Sequence, residues 1–411
     1  MRKHNDDVLN PAQPEDRTPD TTEEKKIERN VVSLGWVAFF GGMAQDMIQP
    51  ILPVFYTSVL GLSKEFIGLI EGALTTVASL MKIGAGYLSD RLGLRKTLVF
   101  IGYALSAAAR FGMGLAASGA AAFGLRLTDG IGKGLKDAPR DALVAGSAGN
   151  RKLGFAFGIQ RTLDTLGSVA GPLIAYGLLK IWDSHVHKYN EVFFVAGLVA
   201  AIPLVIIGLF VRERKQPVNK QKISLKALRG SFAFFLVIML LFTLGNSSDA
   251  FLILRANNVG ISSTTIPLVI AFFNLVSALA AIPAGKISDR IGRRKAITIG
   301  WGIYALVYLG FALVKQSWLI WGLYGFYGLY YAFTEGSAKA MVAELVPEEN
   351  RGAAYGLYNA SVGVMALPAS LIAGFLWSKI SPSAPFAFGA ILAFLSFVAL
   401  WFLPLKKMST N

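Results

Sequence analysis

The sequence predicts an all-α membrane protein with twelve transmembrane helices, arranged as two six-helix bundles with both termini in the cytoplasm. Three observations lead to this prediction: the composition, a succession of long apolar segments, and a motif that occurs twice about 200 residues apart. Of the 411 residues, 54% are hydrophobic and 16% are charged, whereas a soluble domain has about 25% charged residues. The composition therefore excludes an ordinary soluble protein.

Apolar stretches of about twenty residues follow one another from Val31 to Pro404, and each is long enough to cross a bilayer as a helix. Polar and apolar residues do not alternate within them, which argues against strands. Backbone groups in lipid must pair within their own segment, and this also favours helices. The predicted spans are 31–56, 66–88, 97–117, 119–143, 154–180, 192–211, 231–256, 265–287, 296–314, 317–344, 353–377 and 385–403.

The polar segments divide the chain further. Residues 1–30 are rich in Asp, Glu, Pro and Thr, a composition that predicts a disordered cytoplasmic tail and lacks the plan of a cleavable signal. Residues 212–230 are basic and predict a cytoplasmic linker. The two bundles are then expected at 31–211 and 231–405.

The distribution of basic residues predicts the orientation. If the N-terminus is inside, about 25 Lys and Arg residues fall in the tails and inside loops, and about four fall outside: Lys64, Lys188, Lys315 and Lys379. Lys and Arg are retained on the cytoplasmic side of membrane proteins. The net charge of +15 is thus explained without a nucleic-acid partner, and a multi-pass protein of the bacterial cytoplasmic (inner) membrane is expected.

The chain has no cysteine, which excludes disulfides and thiolate metal sites. His185 and His187 have no third ligand nearby in the sequence, so no metal and no other cofactor is expected. No His–Cys constellation indicates an enzyme. We expect a monomer whose partners are a small-molecule solute and membrane lipids.

The repeated motif reads GYLSDRLGLRK at 86–96 and GKISDRIGRRK at 285–295. Both copies fall in short predicted inside loops, after helices two and eight. A second match, FAFGIQ at 155–160 with AAYGLY at 353–358, keeps nearly the same offset. Repetition at half the chain length is typical of transporters built from two related bundles. Gly86 predicts a close approach of two helices and Gly93 a tight turn.

This motif resembles the signature loop of the major facilitator superfamily, in which a second copy after helix eight is usual. The resemblance covers the whole chain apart from the tail and implies the superfamily's fold. In that family the aspartate of the loop latches the two bundles together when the outside is open. The resemblance therefore implies a conformational latch formed by Gly86, Asp90, Arg91, Gly93, Asp289 and Arg290.

A second resemblance lies on predicted helix five. Gly158, Gly167, Gly171 and Pro172 have the spacing of the superfamily's antiporter motif, although the sequence has Ala-Tyr where the motif ends in Gly-Gly. The resemblance implies export in exchange for protons. Small residues at these intervals also allow close helix contact and a bend, so a packing role is the alternative.

Predicted helix four carries a stripe of charges. Arg126, Asp129, Lys133, Lys136 and Arg140 recur every three or four residues and therefore share one face of the helix. Charges inside a bilayer cost several kcal/mol unless they face a cavity or a partner. The stripe thus predicts a cavity lining, with purely structural salt bridges as the alternative. The segment RLTDGIG also resembles the family's helix-four pattern, whose arginine is tied to proton coupling, with Asp129 in place of glutamine.

Proton coupling needs a carboxylate whose pKa burial can raise. We assign this role to Asp46 and Glu71 with Arg126 and Asp129, and Asp249 and Glu335 are the next candidates. Protons are the expected coupling ion, with sodium as an alternative. In the superfamily, helices one, four, seven and ten line the transport path. The remaining residues predicted to lie at the substrate cavity are Gln45, Gln49, Arg161, Asp164, Asn246, Asp249, Asn274, Tyr331, Glu335 and Asn359.

The sequence therefore predicts a secondary active transporter that moves a small anionic or zwitterionic organic solute by alternating access, proton-coupled and exporting by antiport. One alternative is a symporter that imports an organic anion such as a siderophore. An alternative of another class is a lipid flippase on the same scaffold.

Overall fold

The computed structural model describes residues 21–148, 153–185, 187–213, 230–347 and 350–404, without the side chains of 21–28 and of Asp90. These residues form helices and connecting turns, with no strand among them, as an all-α protein requires. The helices are α1 (Thr21–Ile48), α2 (Leu52–Ser58), α3 (Lys64–Leu92), α4 (Arg95–Met113), α5 (Gly119–Ala148), α6 (Leu153–Ile181), α7 (Lys188–Phe210), α8 (Ser231–Gly245), α9 (Ala250–Asn258), α10 (Ile266–Ile291), α11 (Arg293–Leu313), α12 (Leu319–Leu345), α13 (Arg351–Lys379) and α14 (Ala384–Trp401).

Eight segments of the described chain are long and apolar enough to cross a membrane. Two of them join consecutive helices, α1 with α2 and α8 with α9, and the others are α3, α7, α10, α11, α13 and α14. The helices α4, α5, α6 and α12 have 19 to 30 residues and are long enough to cross a membrane, but they are less apolar than these eight segments. The chain is therefore a multi-pass membrane protein.

Most of the predicted tail and linker lie outside the described residues, namely 1–20 and 214–229. The first helix begins at Thr21, ten residues before the predicted span. At the start of the predicted linker, the Glu213 carboxylate accepts hydrogen bonds from the backbone N–H groups of Arg95 (3.1 Å) and Lys96 (2.8 Å). An acidic group at this position stabilises α4, because the N-terminus of a helix is electropositive.

Two predicted spans are each interrupted. The span predicted at 31–56 breaks between Ile48 and Leu52, where Pro50 has no N–H to continue the helical ladder. The span predicted at 231–256 breaks between Gly245 and Ala250, and Asn246 there has φ −96° and ψ 81°, outside the helical region. Pro50 is the sequence signal for the first break, whereas the prediction of a continuous helix at 231–256 was wrong. The two breaks correspond in the two halves of the chain.

The helices pack in two groups. In the first group α1 lies along α6 and α7, α5 lies between α3 and α4, and α4 also contacts α7. In the second group α12 packs on α10 and α11, and α14 packs on α11 and α8. The groups meet where α3 contacts α13, where α6 contacts α10 and where α2 contacts α9.

We call the end of the molecule at which α1 and α8 begin the terminus face and the other end the distal face. At the terminus face the backbone N–H of Arg212, after α7, donates to Asn30 in α1 (3.1 Å). In the second group the Ser231 hydroxyl donates to the Pro404 carbonyl (2.6 Å). The chain therefore enters and leaves each group at this face.

The helices α3 and α13 are in close contact from the distal face to their middle, where a Cβ atom added at Gly363 would collide with the Ser79 side chain. A Cβ atom added at Gly374 would lie 2.6 Å from the Lys64 carbonyl oxygen. Further along, the Thr76 hydroxyl donates to the Gly363 carbonyl (2.8 Å). Toward the terminus face, a Cβ at Gly356 would meet no atom within 4 Å. The two helices therefore diverge toward the terminus face.

The contact between α6 and α10 behaves in the same way. The Asn274 side-chain amide donates to the Ser168 carbonyl (2.6 Å), whereas an added Cβ at Gly154, Gly158 or Gly285 would meet nothing within 4 Å. At the distal face α2 packs against α9 through buried residues such as Leu52 and Leu254. The molecule is thus closed at the distal face and splayed at the terminus face.

Candidate solute-binding site

A cavity of about 260 Å³ lies between the two groups of helices, beside both helix breaks. This is slightly below the roughly 300–1,000 Å³ of pockets for drug-sized ligands, so the cavity fits a small solute. Predicted site residues that line it are Gln45, Gln49, Glu71, Arg126, Asp129, Asn246, Asp249 and Tyr331. Lys133, a member of the charged stripe that was predicted to line a cavity, lines it as well. Polar lining residues that were not predicted are Thr75, Thr243, Ser247, Ser248 and Ser370.

A narrow extension of about 20 Å³ continues the cavity toward the distal face. Leu52 and Pro53 at the start of α2 and Ala250 and Ile253 of α9 line it. Because α2 and α9 pack against each other beyond this point, these apolar residues separate the cavity from the distal face.

Four buried charged side chains form a continuous network on one wall of the cavity. The Arg126 guanidinium donates to both carboxylate oxygens of Glu71 (2.9 and 3.0 Å) and to Asp129 (3.3 Å). Asp129 also accepts from Arg110 (3.4 Å). Arg110 in turn donates to the Gly41 carbonyl in α1 (3.3 Å). Both bonds to Glu71 come from one guanidinium nitrogen, Nη2, and hydrogen bonds between charged groups are stronger than those between neutral ones.

The network contains two carboxylates and two guanidinium groups, so its formal charge is zero. It joins α3, α4 and α5 and ties them to α1 through the Gly41 carbonyl. The alternative of structural salt bridges therefore applies to Arg126 and Asp129, although both also line the cavity. Arg110 completes the network and was not among the predicted site residues, because nothing in the sequence places α4 beside Asp129.

Asp46 lies apart from this network. It is half-buried in α1 and does not line the cavity, and its side chain lies near Ser168 of α6. Arg126, which was expected to assist it, pairs with Glu71 and Asp129 instead. The four predicted coupling residues are thus divided between two places.

Lys133 lies one helical turn beyond Asp129 and lines the cavity. Within the described part of the chain, no carboxylate oxygen lies within 4.0 Å of its ammonium nitrogen. The stripe then leaves the cavity. Lys136 is buried with its ammonium 4.1 Å from the centre of the Tyr103 ring, and Arg140 pairs with Asp141 (3.4 Å).

Asp249 stands at the break between α8 and α9, on the opposite wall. It accepts hydrogen bonds from the hydroxyls of Tyr327 (2.7 Å) and Tyr331 (3.4 Å). Nearby, the Tyr304 hydroxyl donates to Asn246 (3.2 Å). Among the described residues no Lys, Arg or His nitrogen lies within 4.0 Å of the Asp249 carboxylate. Asp249 is thus held by neutral donors alone.

An aromatic cluster supports this wall. Tyr304 and Tyr308 stack at 4.0 Å between ring centres, and Phe242 and Trp301 stack at 4.7 Å. Tyr327 contacts the same cluster and is buried. Rings packed this closely have little freedom to move, so the tyrosine hydroxyls present a fixed surface to Asp249.

Three other predicted site residues lie toward the terminus face, outside the cavity lining. Arg161 of α6 pairs with Glu335 of α12 across the two groups (3.0 Å) and lies 4.0 Å from Asp164. The Arg161 and Glu335 side chains are 66% and 43% exposed, so water screens this pair strongly. Asn274 instead ties α10 to α6, and Asn359 in α13 does not line the cavity.

Each copy of the repeated motif, at 86–96 and 285–295, contains a tight turn. Gly93 ends α3 with φ +67° and Gly292 ends α10 with φ +91°, a backbone region that favours glycine. At Gly86 an added Cβ would lie 3.6 Å from the Ala138 side chain, an ordinary contact. The end of α3 therefore lies against α5 at Gly86, with room for a small side chain.

The charged members of the motif lie at the terminus face. Asp289 forms an ion pair with Arg293, which also reaches Glu344 of α12 (3.4 Å). Arg91 and Arg290 are exposed. Asp90 lies in α3, and its side chain is outside the described part of the structure.

The glycines of the helix-five motif, which lie on α6, differ in their packing. An added Cβ at Gly167 would collide with the Phe39 carbonyl oxygen, and one at Gly171 would collide with that of Met43. Both glycines therefore bring α6 against the backbone of α1. Gly158 has open space around it, and Pro172 is buried within α6. The packing alternative explains Gly167 and Gly171 but not Gly158.

The loop between α6 and α7 joins the groups at the distal face. Asp183 accepts hydrogen bonds from Lys188 (2.7 Å) and from Thr264 of the second group (3.3 Å). The pKa of the Asp183 carboxyl is lowered, because the hydrogen bond and charge of the Lys188 ammonium stabilise its charged form. His185 contacts Glu191 (3.2 Å), and no group of three metal-ligating side chains occurs among the described residues.

Apolar helices that turn their charged side chains toward one internal cavity are typical of membrane transport proteins. The chain belongs to the Major Facilitator Superfamily, whose family pattern matches residues 34–256 and again 230–410. It is 36% identical to an uncharacterised MFS-type transporter of Methanocaldococcus jannaschii, with 92% of this chain and 96% of the relative covered.

More distant similarity extends the same assignment. The multidrug resistance protein MdtG of Proteus mirabilis is 25% identical, with 91% of this chain and 95% of that protein covered. The crystal structure of the nucleoside transporter NupG has a TM-score of 0.72 at 14% identity, over 91% of this chain and 98% of that chain. The structural similarity establishes the fold.

Proposed function

We propose that the protein is a secondary active transporter that moves a small organic solute across the membrane by alternating access. The observation that carries this proposal is the polar cavity between two groups of helices that touch at one face and diverge at the other. Rocking of the groups about such a cavity would expose it to each side in turn. Two broken helices meet at the cavity, a feature of substrate sites in secondary transporters.

The proposal includes the membrane arrangement. The helices make twelve spans in two six-helix bundles, 31–211 and 231–405, with α1–α2 and α8–α9 each counted as one span. Both termini lie in the cytoplasm, in accordance with the bias of basic residues. The splayed terminus face is then cytoplasmic and the conformation inward-open. The expected location is the cytoplasmic membrane.

A topology prediction follows from this arrangement. Because the chain has no cysteine, single cysteines placed at Asn219 and at Ser184 report only their own positions. We expect membrane-impermeant maleimide to label Ser184→Cys in intact cells and Asn219→Cys only after the membrane is opened. Labelling of both from the same side would contradict the two-bundle arrangement.

Proton coupling and export are part of the proposal. Multidrug resistance in the names of relatives at 25–26% identity favours export. A proton released or taken up by a cavity carboxylate would link solute movement to the proton gradient. Asp46, Glu71, Arg126 and Asp129 are the proposed coupling residues, and the loop with Asp90 is the proposed latch at the terminus face.

Asp46 gives the coupling proposal a direct test. We expect Asp46→Asn to abolish transport against a gradient while solute binding stays within about twofold, since a proton carrier outside the cavity contributes little to binding. Solute-driven proton flux in proteoliposomes measures the first effect and ligand-induced thermal stabilisation the second. A wild-type ratio of protons to solute in Asp46→Asn would place the proton carrier elsewhere, with Glu71 next to be tested.

Transport itself is tested with the purified protein in proteoliposomes. Counterflow of labelled small organic solutes should occur with wild-type protein and not with empty liposomes. The alternative of a lipid flippase is examined in the same vesicles with fluorescent phospholipids, whose movement between leaflets a quencher reveals. Lipid movement without exchange of any soluble compound would favour the flippase. The size of the cavity and its enclosure by polar groups favour a soluble solute.

A further inference from the structure

The cavity retains two charges that the protein does not neutralise by direct contact. Lys133 lines one wall and Asp249 the other, and neither has an oppositely charged side chain within 4.0 Å among the described residues. The remaining charges of the cavity, Glu71, Arg126 and Asp129, are balanced within the network that includes Arg110. Lys133 lies within electrostatic range of Asp46 and Asp129 but forms an ion pair with neither. One cation and one anion therefore remain without a direct partner and can contact a solute.

Charges within a membrane protein need a partner or water. A solute with both an ammonium and an anionic group would neutralise Lys133 and Asp249 together. A simple amine would neutralise only Asp249 and a simple acid only Lys133, so the other charge would remain in the cavity without a partner. The pairing thus favours a solute whose own charges add to zero.

The hydrogen bonds of Asp249 are consistent with an ammonium ligand. Each carboxylate oxygen receives one tyrosine hydroxyl, and a carboxylate has about four acceptor positions in all. Acceptor capacity therefore remains toward the cavity, where Ser247 and Ser248 add hydroxyl oxygens. Since the tyrosines stand in a packed aromatic cluster, the carboxylate is held in place before a ligand arrives.

The two charges belong to different groups of helices. Lys133 lies on α5 in the first group, and Asp249 precedes α9 in the second. A solute that bridges them would contact both groups at once, as a transporter that closes around its substrate requires. The volume of about 260 Å³ restricts such a solute to the size of an amino acid or a similarly small metabolite.

We propose that the cavity selects a small zwitterionic solute, bound with its ammonium group at Asp249 and its carboxylate or other anionic group at Lys133. This inference rests on the transport function proposed above and adds the substrate class, the orientation and the residues that determine both.

The test uses purified full-length protein in detergent or nanodiscs and probes of graded charge. The probes are the protein amino acids, each beside the amine that lacks its carboxylate and the acid that lacks its amine. Thermal stabilisation at neutral pH gives the affinities. We expect at least one amino acid to bind at least tenfold more tightly than both of its one-charge analogues.

Isosteric substitutions show which residue binds the ammonium group of the solute and which binds its anionic group. In Asp249→Asn the zwitterion should bind no better than the matching acid, and in Lys133→Gln no better than the matching amine. Tyr327→Phe keeps the charge of Asp249 but removes one donor, so it should weaken the zwitterion and the amine without affecting the acid. Lys315→Gln, in a loop outside the cavity, serves as a matched control and should bind as wild type.

Several results would overturn the inference: no amino acid binds, a one-charge analogue binds as tightly as its zwitterion, or the cavity variants keep wild-type affinities. Counterflow in proteoliposomes separates this failure from that of the proposed function. Exchange of a purely anionic or cationic solute by wild type would leave transport standing and refute zwitterion selection. Movement of labelled lipid without exchange of any soluble probe would refute both.

Discussion

Replacing Arg126 by glutamine is expected to destabilise the protein by about 3–5 kcal/mol and to abolish transport, because removal of one partner of a buried ion pair leaves the other charge uncompensated. The guanidinium is buried between Glu71 and Asp129. Asp129 keeps its contact with Arg110, whereas Glu71 loses its ion-pair partner. Thermal unfolding in detergent and counterflow in proteoliposomes measure the two effects.

A second substitution separates stability from function. In the double variant Arg126→Gln with Glu71→Gln, the stranded carboxylate is gone, so most of the lost stability should return. Transport should remain absent, because the cavity has lost two charged groups that line it. Wild-type stability of the single variant would show that the network does not form as described. Full recovery of transport in the double variant would show that these charges serve only the fold.

Replacing Gly167 by alanine is expected to have the second largest effect. The added methyl group would collide with the Phe39 carbonyl oxygen of α1, and excess volume in a packed interior costs about 1–3 kcal/mol. Because α1 carries Gln45 and Gln49 into the cavity, displacement of α1 against α6 should also reduce the rate of transport. Thermal unfolding and initial rates of counterflow are the measurements.

Gly158→Ala is the matched control on the same helix and in the same motif. Nothing lies within 4 Å of a Cβ there, and alanine favours a helix over glycine by about 1 kcal/mol. We therefore expect unchanged or slightly higher stability and undiminished transport. Loss of transport in a stable Gly158→Ala protein would instead support a role for the whole motif in exchange, beyond packing.

The sequence was sufficient for the fold class because the apolar segments and the duplicated motif are local signals. The stripe on α5 was also visible, since it depends only on helical spacing. The sequence did not show which residues of the stripe face the cavity: Asp129 and Lys133 line it, whereas Lys136 is buried against Tyr103. That division depends on which helices lie beside α5, and a single sequence does not contain this information.

The interruption between α8 and α9 shows a second limit. The break between α1 and α2 has Pro50 as a local signal, but the second break, at Asn246–Asp249, contains no proline. Tertiary contacts stabilise it instead, through hydrogen bonds from Tyr304 to Asn246 and from Tyr327 to Asp249. These contacts fix the geometry of the segment from Gly245 to Asp249, whose turn-forming residues also disfavour a continuous helix.

Arg255 shows how a charge in an apolar span can be structural. It lies within the span predicted at 231–256. In the structure its guanidinium donates to the carbonyls of Phe311 (3.0 Å) and Val314 (3.0 Å) and to the Ser383 hydroxyl (3.2 Å). It thereby satisfies carbonyl groups at the end of α11, which have no partner within their own helix.

The balance of the buried network has a consequence for energetics across a polarised membrane. One elementary charge that crosses the membrane gains or loses about 2.3 kcal/mol per 100 mV. Glu71, Arg126, Asp129 and Arg110 sum to zero, so their displacement as the bundles rock adds no voltage dependence. The return of the empty carrier is then insensitive to these four groups while both carboxylates are ionised, and a proton carried by Glu71 or Asp129 would make that step electrogenic.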